Sequence, residues 1–338
     1  MDILVTGGAG YIGSHTVVQL IEEGYNPIIV DDLSNSSKEV LNWIKTITGV
    51  RPTFYQFDIS DEKKLAKVFA HHHIECVIHF AGFKAVGESV FKPLEYYQNN
   101  IDSTISLLKE MNKWNVKNII FSSSATVYGV PTRVPVKEDD PVTHSLSPYG
   151  ETKIIIEGLI KNVCAANKNI NAALLRYFNP IGAHESGLIG EDPEGIPNNL
   201  MPFITQVAVG KLPILNVFGD DYKTPDGTCV RDYIHVVDLA RGHVAAIKKL
   251  LENPGLVIYN LGTGKGTSVF ELIHAFEEAN NIKIPYKIVG RRAGDVDENY
   301  ADVSKAKIEL GWVATHSIKD CCKDAWNWQK NNPTGYNK

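Results

Sequence analysis

The 338-residue sequence predicts an α/β fold, a doubly wound parallel sheet with a smaller mixed α/β lobe at its C-terminal end. Three observations predict it. Apolar strand-like runs alternate with amphipathic helical stretches from Ile3 to Arg176. Glycines 7, 10 and 13 form a turn between the first strand and the helix behind it. Asp31 and Asp32 then close the second strand, about 20 residues after that turn, where a carboxylate can accept from ribose hydroxyls.

The elements follow in order. Ile3 to Thr6 reads as a buried strand, and an apolar-periodic helix runs to about Glu23. Gly7, Gly10 and Gly13 allow a tight turn, close approach of a pyrophosphate to backbone, and close packing of helix on strand. The helix start offers free N–H groups to those phosphates. A second strand, Pro27 to Val30, ends at the two aspartates. Helices near 38–48 and 61–71 alternate with strands Thr53 to Phe57 and Cys76 to Phe80. A long helix from Pro93 to about Asn112, a strand Asn118 to Phe121, a helix from Tyr149 and a strand Ala172 to Arg176 complete the series. After a Gly- and Pro-rich passage from Ile181 to Pro197, helices are expected at Asn199 to Val209, Val236 to Glu252, Ser268 to Ala279 and Ile318 to Gln329. Short strands at Ile258 to Leu261 and Tyr286 to Val289 lie between them.

Composition bounds the function. Hydrophobic residues make up 43% and charged residues 22%, with a net charge of -5, the profile of a soluble globular chain with no basic run for nucleic acid. Five cysteines, two of them adjacent, suit neither a disulfide framework nor a metal site. No apolar run reaches the roughly 20 residues of a membrane span, and no leader is evident, so a cytoplasmic setting is expected.

Ligands of such sheets lie beyond the carboxyl ends of the strands. That rule selects Asp58-Ile59, Phe80-Ala81-Gly82, Ser122-Ser123-Ser124 and Tyr177-Phe178-Asn179. The helix that opens at Ser147-Pro148-Tyr149 faces the same edge, and on it Tyr149 and Lys153 are four residues apart on one face. A free phenol has a pKa of about 10, and a neighbouring ammonium favours phenolate, which makes Tyr149 a candidate proton-transfer group. The helices at 93–112 and 149–167 are apolar on more than one side, as expected if one side covers the sheet and another meets a second copy in a homodimer.

The glycine turn, the serine-rich strand end and the Tyr-x-x-x-Lys helix together resemble the working set of the short-chain dehydrogenases and reductases. In the extended branch of that family the sequence resembles the UDP-galactose 4-epimerases. The resemblance is carried by residues 6–15, 79–89 and 121–129, by Leu175 to Pro180, by Gly195 to Pro202 and by Val230 to His235. It implies a Rossmann-like NAD-binding domain over residues 1–180, with sheet contributions from about 230–262, and a nucleotide-sugar-binding lobe mainly over 181–338. It further implies reversible epimerisation at C4 of UDP-hexoses by transient hydride transfer to tightly bound NAD, with Tyr149 as base, Lys153 on the nicotinamide ribose and Ser124 on the same sugar oxygen.

By the same resemblance the cofactor residues are Gly7, Gly10, Tyr11, Ile12, Gly13, Asp31, Asn35, Ser36, Asp58, Ile59, Phe80, Ala81, Gly82, Lys84, Asn99, Ser124, Tyr149, Lys153 and Phe178. The substrate residues are Lys84, Ser124, Tyr149, Asn179, Asn199, Leu200, Asn216, Val217, Phe218, Arg231, Arg292, Asp295 and Asn299. Guanidinium forks at Arg231 and Arg292 suit a UDP pyrophosphate. Several bacterial relatives carry a tyrosine where this chain has Asn299, which implies room for N-acetylated UDP-hexoses. Nucleotide-sugar dehydratases need an acid and base beside the strand-end serine, and Ser124-Ala125 supplies neither. A regulator that had lost catalysis would have no need of Ser124, Tyr149 and Lys153 together. Gly262 to Thr267 lacks the P-loop spacing and reads as a strand-to-helix turn. No metal site is expected, the three histidines at 71–73 reading as a helix terminus.

Overall fold

The structure is a computed structural model that describes residues 1–292 and 294–336. Among the described residues, fourteen strands form four sheets, numbered here in chain order. The main sheet takes β1 (Asp2–Thr6), β2 (Asn26–Asp31), β3 (Thr53–Gln56), β4 (Ile74–His79), β5 (Asn118–Ser124) and β6 (Asn171–Tyr177). Eight further strands follow: β7 (Asn179–Ile181), β8 (Leu215–Phe218), β9 (Val230–Arg231), β10 (Tyr233–His235), β11 (Leu256–Leu261), β12 (Thr267–Ser268), β13 (Tyr286–Val289) and β14 (Glu298–Asn299), of which β11 joins the main sheet. The main sheet is parallel throughout, in the order β11-β6-β5-β4-β1-β2-β3.

Because parallel strands are covered on both faces, their apolar runs are continuous rather than alternating. β1 shows this: Ile3 and Val5 enter the core under helices Tyr11–Glu22 and Val236–Leu250, while Leu4 enters the opposite core under helices Glu62–His71, Ser103–Lys113 and Pro148–Ala166. A third core, around Ile204, Phe276 and Cys322, belongs to the lobe. There β13 lies parallel to β8, and β9 joins β12 and β14. The carboxyl ends of the main strands place Gly7, Asp31, Phe80, Ser124 and Phe178 along one edge, and β7 continues from β6 into the lobe.

Two expectations change in detail. The single helix from Pro93 to Asn112 is broken: an α-turn at Pro93–Tyr97, a π-helical segment at Gln98–Asp102, and an α-helix at Ser103–Lys113. Hydrophobic period reports only the average pitch, so it cannot reveal one widened turn. A short helix at Val86–Phe91, which the glycine and lysine around it obscured, precedes them. The apolar helix faces divide as their breadth suggested. Ile156 and Ile160 are buried against the sheet, Ile154 packs on the cluster around Tyr128 and Phe178, and Ile155 is exposed. Val90, Phe91 and Leu94 are exposed as well, Phe91 to 86%.

Candidate active site

The glycine turn is dictated by close approach. Gly7 has φ +70, and a Cβ there would lie 2.8 Å from the Ala81 amide nitrogen; one on Gly13 would lie 2.3 Å from the Gly7 carbonyl oxygen. Helix Tyr11–Glu22 therefore starts hard against β1 and β4, its first turn carrying no side-chain cap. Its N–H groups and positive dipole end are left for an anion. Asp31 closes the other side of the turn. Its carboxylate accepts from Ala9 N at 3.0 Å, Leu33 N at 2.9 Å and the Ser36 hydroxyl at 2.9 Å. Burial pushes its pKa up while those donors pull it down. A carboxylate has about four acceptor directions, so one remains for a ribose hydroxyl. These residues fit a dinucleotide with a free 2′-hydroxyl.

The reactive edge is built from β5 and helix Pro148–Ala166. Ser147 caps that helix through Gly150 N, and Pro148 occupies its first turn, which fixes where Tyr149 begins. A Cβ at Gly150 would fall 1.8 Å from Ser145 Oγ, so only glycine permits this packing. Ser124 lies beside the Tyr149 hydroxyl and favours its ionised form, and Ser124 Oγ accepts from Thr126 N at 3.2 Å. The Lys153 ammonium lies 5.7 Å from the Tyr149 ring centroid and donates to the Ser122 carbonyl at 2.7 Å. The trio is thus assembled.

Electrostatics refine the expectation of an easily formed phenolate. Burial drives the Tyr149 pKa up to about 12, against the opposing Ser124 hydrogen bond. Burial likewise lowers Lys153 to about 8. Spacing on a helix face shows proximity but not depth, and here desolvation outweighs the effect of Ser124. Phenolate must be drawn out by charge that arrives with the ligands.

Several partners of this site escaped the sequence reading. Asn100, on the π-helical segment, accepts from Phe83 N at 2.7 Å, and its amide donates to Phe83 O and to Thr152 Oγ1 at 3.0 Å. It ties the loop after β4 to the catalytic helix, and the widened turn beside Asn99 aims it there. Behind β5, Ser123 donates to Glu157 at 2.7 Å, and Arg176 grips the same carboxylate with two bonds, at 2.9 and 2.8 Å, in full burial. An arginine within the apolar strand Ala172 to Tyr177 was the available signal, since a buried charge requires a partner.

The remaining predicted residues surround the edge. Tyr11 donates to Gly182 O at 2.7 Å, and the Lys84 ammonium lies over its ring. Lys84 pairs with Glu191 at 3.3 Å, and Asn199 donates to the same Glu191 oxygen at 3.0 Å at the start of helix Leu200–Ala208. Asp58 caps its own turn through Ser60 N, followed by buried Ile59. Asn35 lies in the turn after β2. In the lobe, Asp295 bridges both predicted forks, to Arg292 at 2.9 Å and Arg231 at 3.5 Å, and the Arg292 guanidinium lies over Phe218, at the end of β8 after Asn216 and Val217. Thr126 Oγ1, Asn216 Oδ1 and Asn299 Oδ1 are buried with no hydrogen-bond partner among the described residues. Unsatisfied buried oxygens are costly, which suits groups that await a ligand. The Gly262-Thr263-Gly264 turn is filled from within: its amides bind the Asp232 carboxylate.

A dinucleotide turn, a strand-end serine and a Tyr-x-x-x-Lys helix on one sheet edge define an extended short-chain dehydrogenase/reductase. Residues 4–325 match the family model described as GDP-mannose 4,6 dehydratase, and the chain belongs to that family. It is 58% identical over 335 residues to the UDP-glucose 4-epimerase of Dictyostelium discoideum (99% of this chain, 97% of that protein), and 56% identical over 336 residues to that of Bacillus subtilis (99% of each). The crystal structure of the Bifidobacterium longum UDP-glucose 4-epimerase, solved in complex with NAD+ and UDP, superposes with a TM-score of 0.97 at 54% identity, covering 99% of this chain and all of that one. Within the broader family, then, the chain belongs to the UDP-glucose 4-epimerases.

Proposed function

We infer that the protein interconverts UDP-galactose and UDP-glucose by inverting C4 of the bound hexose, using NAD as cofactor. The observation that carries this reading is the adjacent Ser124 and Tyr149 side chains with Lys153 behind them, on the edge that also holds the glycine turn and Asp31. NAD supplies reversible hydride acceptance. The chain does the rest: Tyr149 takes and returns the proton of the 4-hydroxyl, Ser124 holds that oxygen, and Lys153 anchors the nicotinamide ribose and adds positive charge behind the phenol. Moving the phenol from about 12 to near 7 requires about 7 kcal/mol of differential stabilisation, more than one ammonium supplies. The positive ring of the oxidised cofactor supports the remainder.

The finer assignments rest on the same layout. Residues 1–180 form the NAD-binding domain together with later sheet segments, and 181–338 mainly form the sugar-nucleotide lobe. Arg231, Arg292 and the helix start at Asn199 and Leu200 hold the UDP pyrophosphate. Asn179, Asn216, Val217, Phe218 and Asp295 complete the nucleotide pocket. The buried, unpartnered Asn299 Oδ1 supports acceptance of UDP-N-acetylhexosamines too, since a short amide leaves space and a spare acceptor. Exposed Phe91, Leu94 and Ile155, on helices that pack together, support a homodimer through 93–112 and 149–167. Five unpaired, buried thiols support a reducing cytoplasm, and no described helix is long and apolar enough to cross a membrane.

Incubation of purified protein with UDP-galactose and no added NAD tests the activity: UDP-glucose should appear, and its absence in protein that carries bound NAD would overturn the reading. With UDP-N-acetylgalactosamine the wild type should also turn over, and Asn299→Tyr should lose that reaction while keeping the first.

A further inference from the structure

We infer that Asp232 is a positioning residue for the sugar-nucleotide pocket, and that the Gly262-Thr263-Gly264 turn is an anion nest built to hold it. Asp232 is fully buried between β9 and β10. One carboxylate oxygen accepts from Thr263 N and from Thr263 Oγ1, both at 2.7 Å. The other accepts from Gly264 N at 3.0 Å and Ala301 N at 3.2 Å. A Cβ on Gly262 would lie 2.4 Å from that second oxygen, so the turn admits the carboxylate only because residue 262 is glycine. Successive backbone N–H groups in a glycine turn make a concavity that binds anions. Here the anion belongs to the protein itself.

The same residue uses its backbone in the pocket. Its N–H donates to Asn299 O at 3.2 Å, and its carbonyl accepts from Asn179 N at 2.9 Å. Arg231 precedes it and, by the alternation of extended chain, projects the other way, onto Val296 O at 2.8 Å and towards Asp295. Three groups proposed to meet the substrate, Asn179, Arg231 and Asn299, are therefore registered by one residue, and its carboxylate clamps that residue to the turn and to Ala301. Every partner of the carboxylate is a donor. An asparagine there would turn an N–H group on N–H or O–H donors, so an isosteric change breaks the clamp.

The inference rests on the proposed nucleotide-sugar pocket, and the experiment separates the two. Holoenzymes carrying Asp232→Asn and Thr263→Val are compared with wild type for kcat, KM for UDP-galactose, UDP dissociation constant and NAD content. Losing hydrogen bonds to a buried carboxylate should raise KM and the UDP dissociation constant about tenfold or more in Asp232→Asn, and about threefold in Thr263→Val, which removes one donor. NAD content should stay unchanged and kcat within about threefold, again because the lost bonds lie outside the cofactor half. A merely structural role would lower thermal stability and NAD content with KM unmoved, and that result overturns the inference. If Asp232→Asn does not fold, Thr263→Val decides: an unchanged KM overturns the positioning role. Absence of epimerisation by wild type would sink the underlying reading instead.

Discussion

On the proposed cofactor side of the edge the donors offered to a ligand are backbone groups, the N–H groups at the start of helix Tyr11–Glu22, and the carboxylate beside them is already held by Ala9, Leu33 and Ser36. On the proposed sugar-nucleotide side they are side-chain cations, and each is paired with a carboxylate of the chain: Lys84 with Glu191, and Arg231 and Arg292 with Asp295. The first arrangement is rigid and preformed, so its ligand gives up little freedom on binding and can be held tightly. In the second, the chain's own acids occupy positions that a pyrophosphate must contest. Tight retention of one ligand and ready exchange of the other are the behaviour expected from this contrast.

The comparison can be broken most sharply at the chemistry between the two halves. Tyr149→Phe should cut turnover of UDP-galactose by about a thousandfold while bound NAD, read by absorbance, stays at the wild-type level. Loss of NAD together with turnover would show that the halves are not separable there. Asp31→Ala should act on the cofactor half alone: protein purified without added NAD should retain less than about a tenth of the wild-type cofactor, since a charged ribose contact and the cradle of the glycine turn go together.

Lys153→Met tests what the preformed side costs in stability. The buried lysine has a folded pKa of about 8 against 10.5 when free, so the unfolded chain binds more protons between those values. The penalty is full below pH 8 and fades as pH rises to 10.5, and is about 3 kcal/mol by linkage. The inactive variant should therefore melt a few degrees above wild type at pH 7 in NAD-free protein, with the gap closing at pH 10. Calorimetry at the two pH values checks it, and equal melting points at pH 7 would refute it. The smallest effect is expected from Glu191→Gln. It frees Lys84 from a half-exposed ion pair worth at most about 1 kcal/mol, so KM for UDP-galactose should fall by no more than about fivefold, and the difference should shrink in high salt.

Much of this molecule is decided locally. The run of strands and helices, the glycine turn, Asp31, the strand-end serine and the Tyr149–Lys153 spacing all follow from residues within a turn or a strand of one another, where hydrophobic period, glycine geometry and capping act. Distance in the chain hid the rest. The π-helical turn that aims Asn100, the Glu157–Arg176 pair behind Ser123 and the Asp232 clamp join segments far apart in sequence. No periodicity encodes such meetings, because each exists only once the sheet has ordered its strands. Depth was hidden too. The sequence by itself determined the fold class and the candidate cofactor edge and proton-transfer pair; only the tertiary structure decided how far those side chains are removed from water, and that desolvation makes both the Tyr149 phenolate and the Lys153 ammonium harder to form.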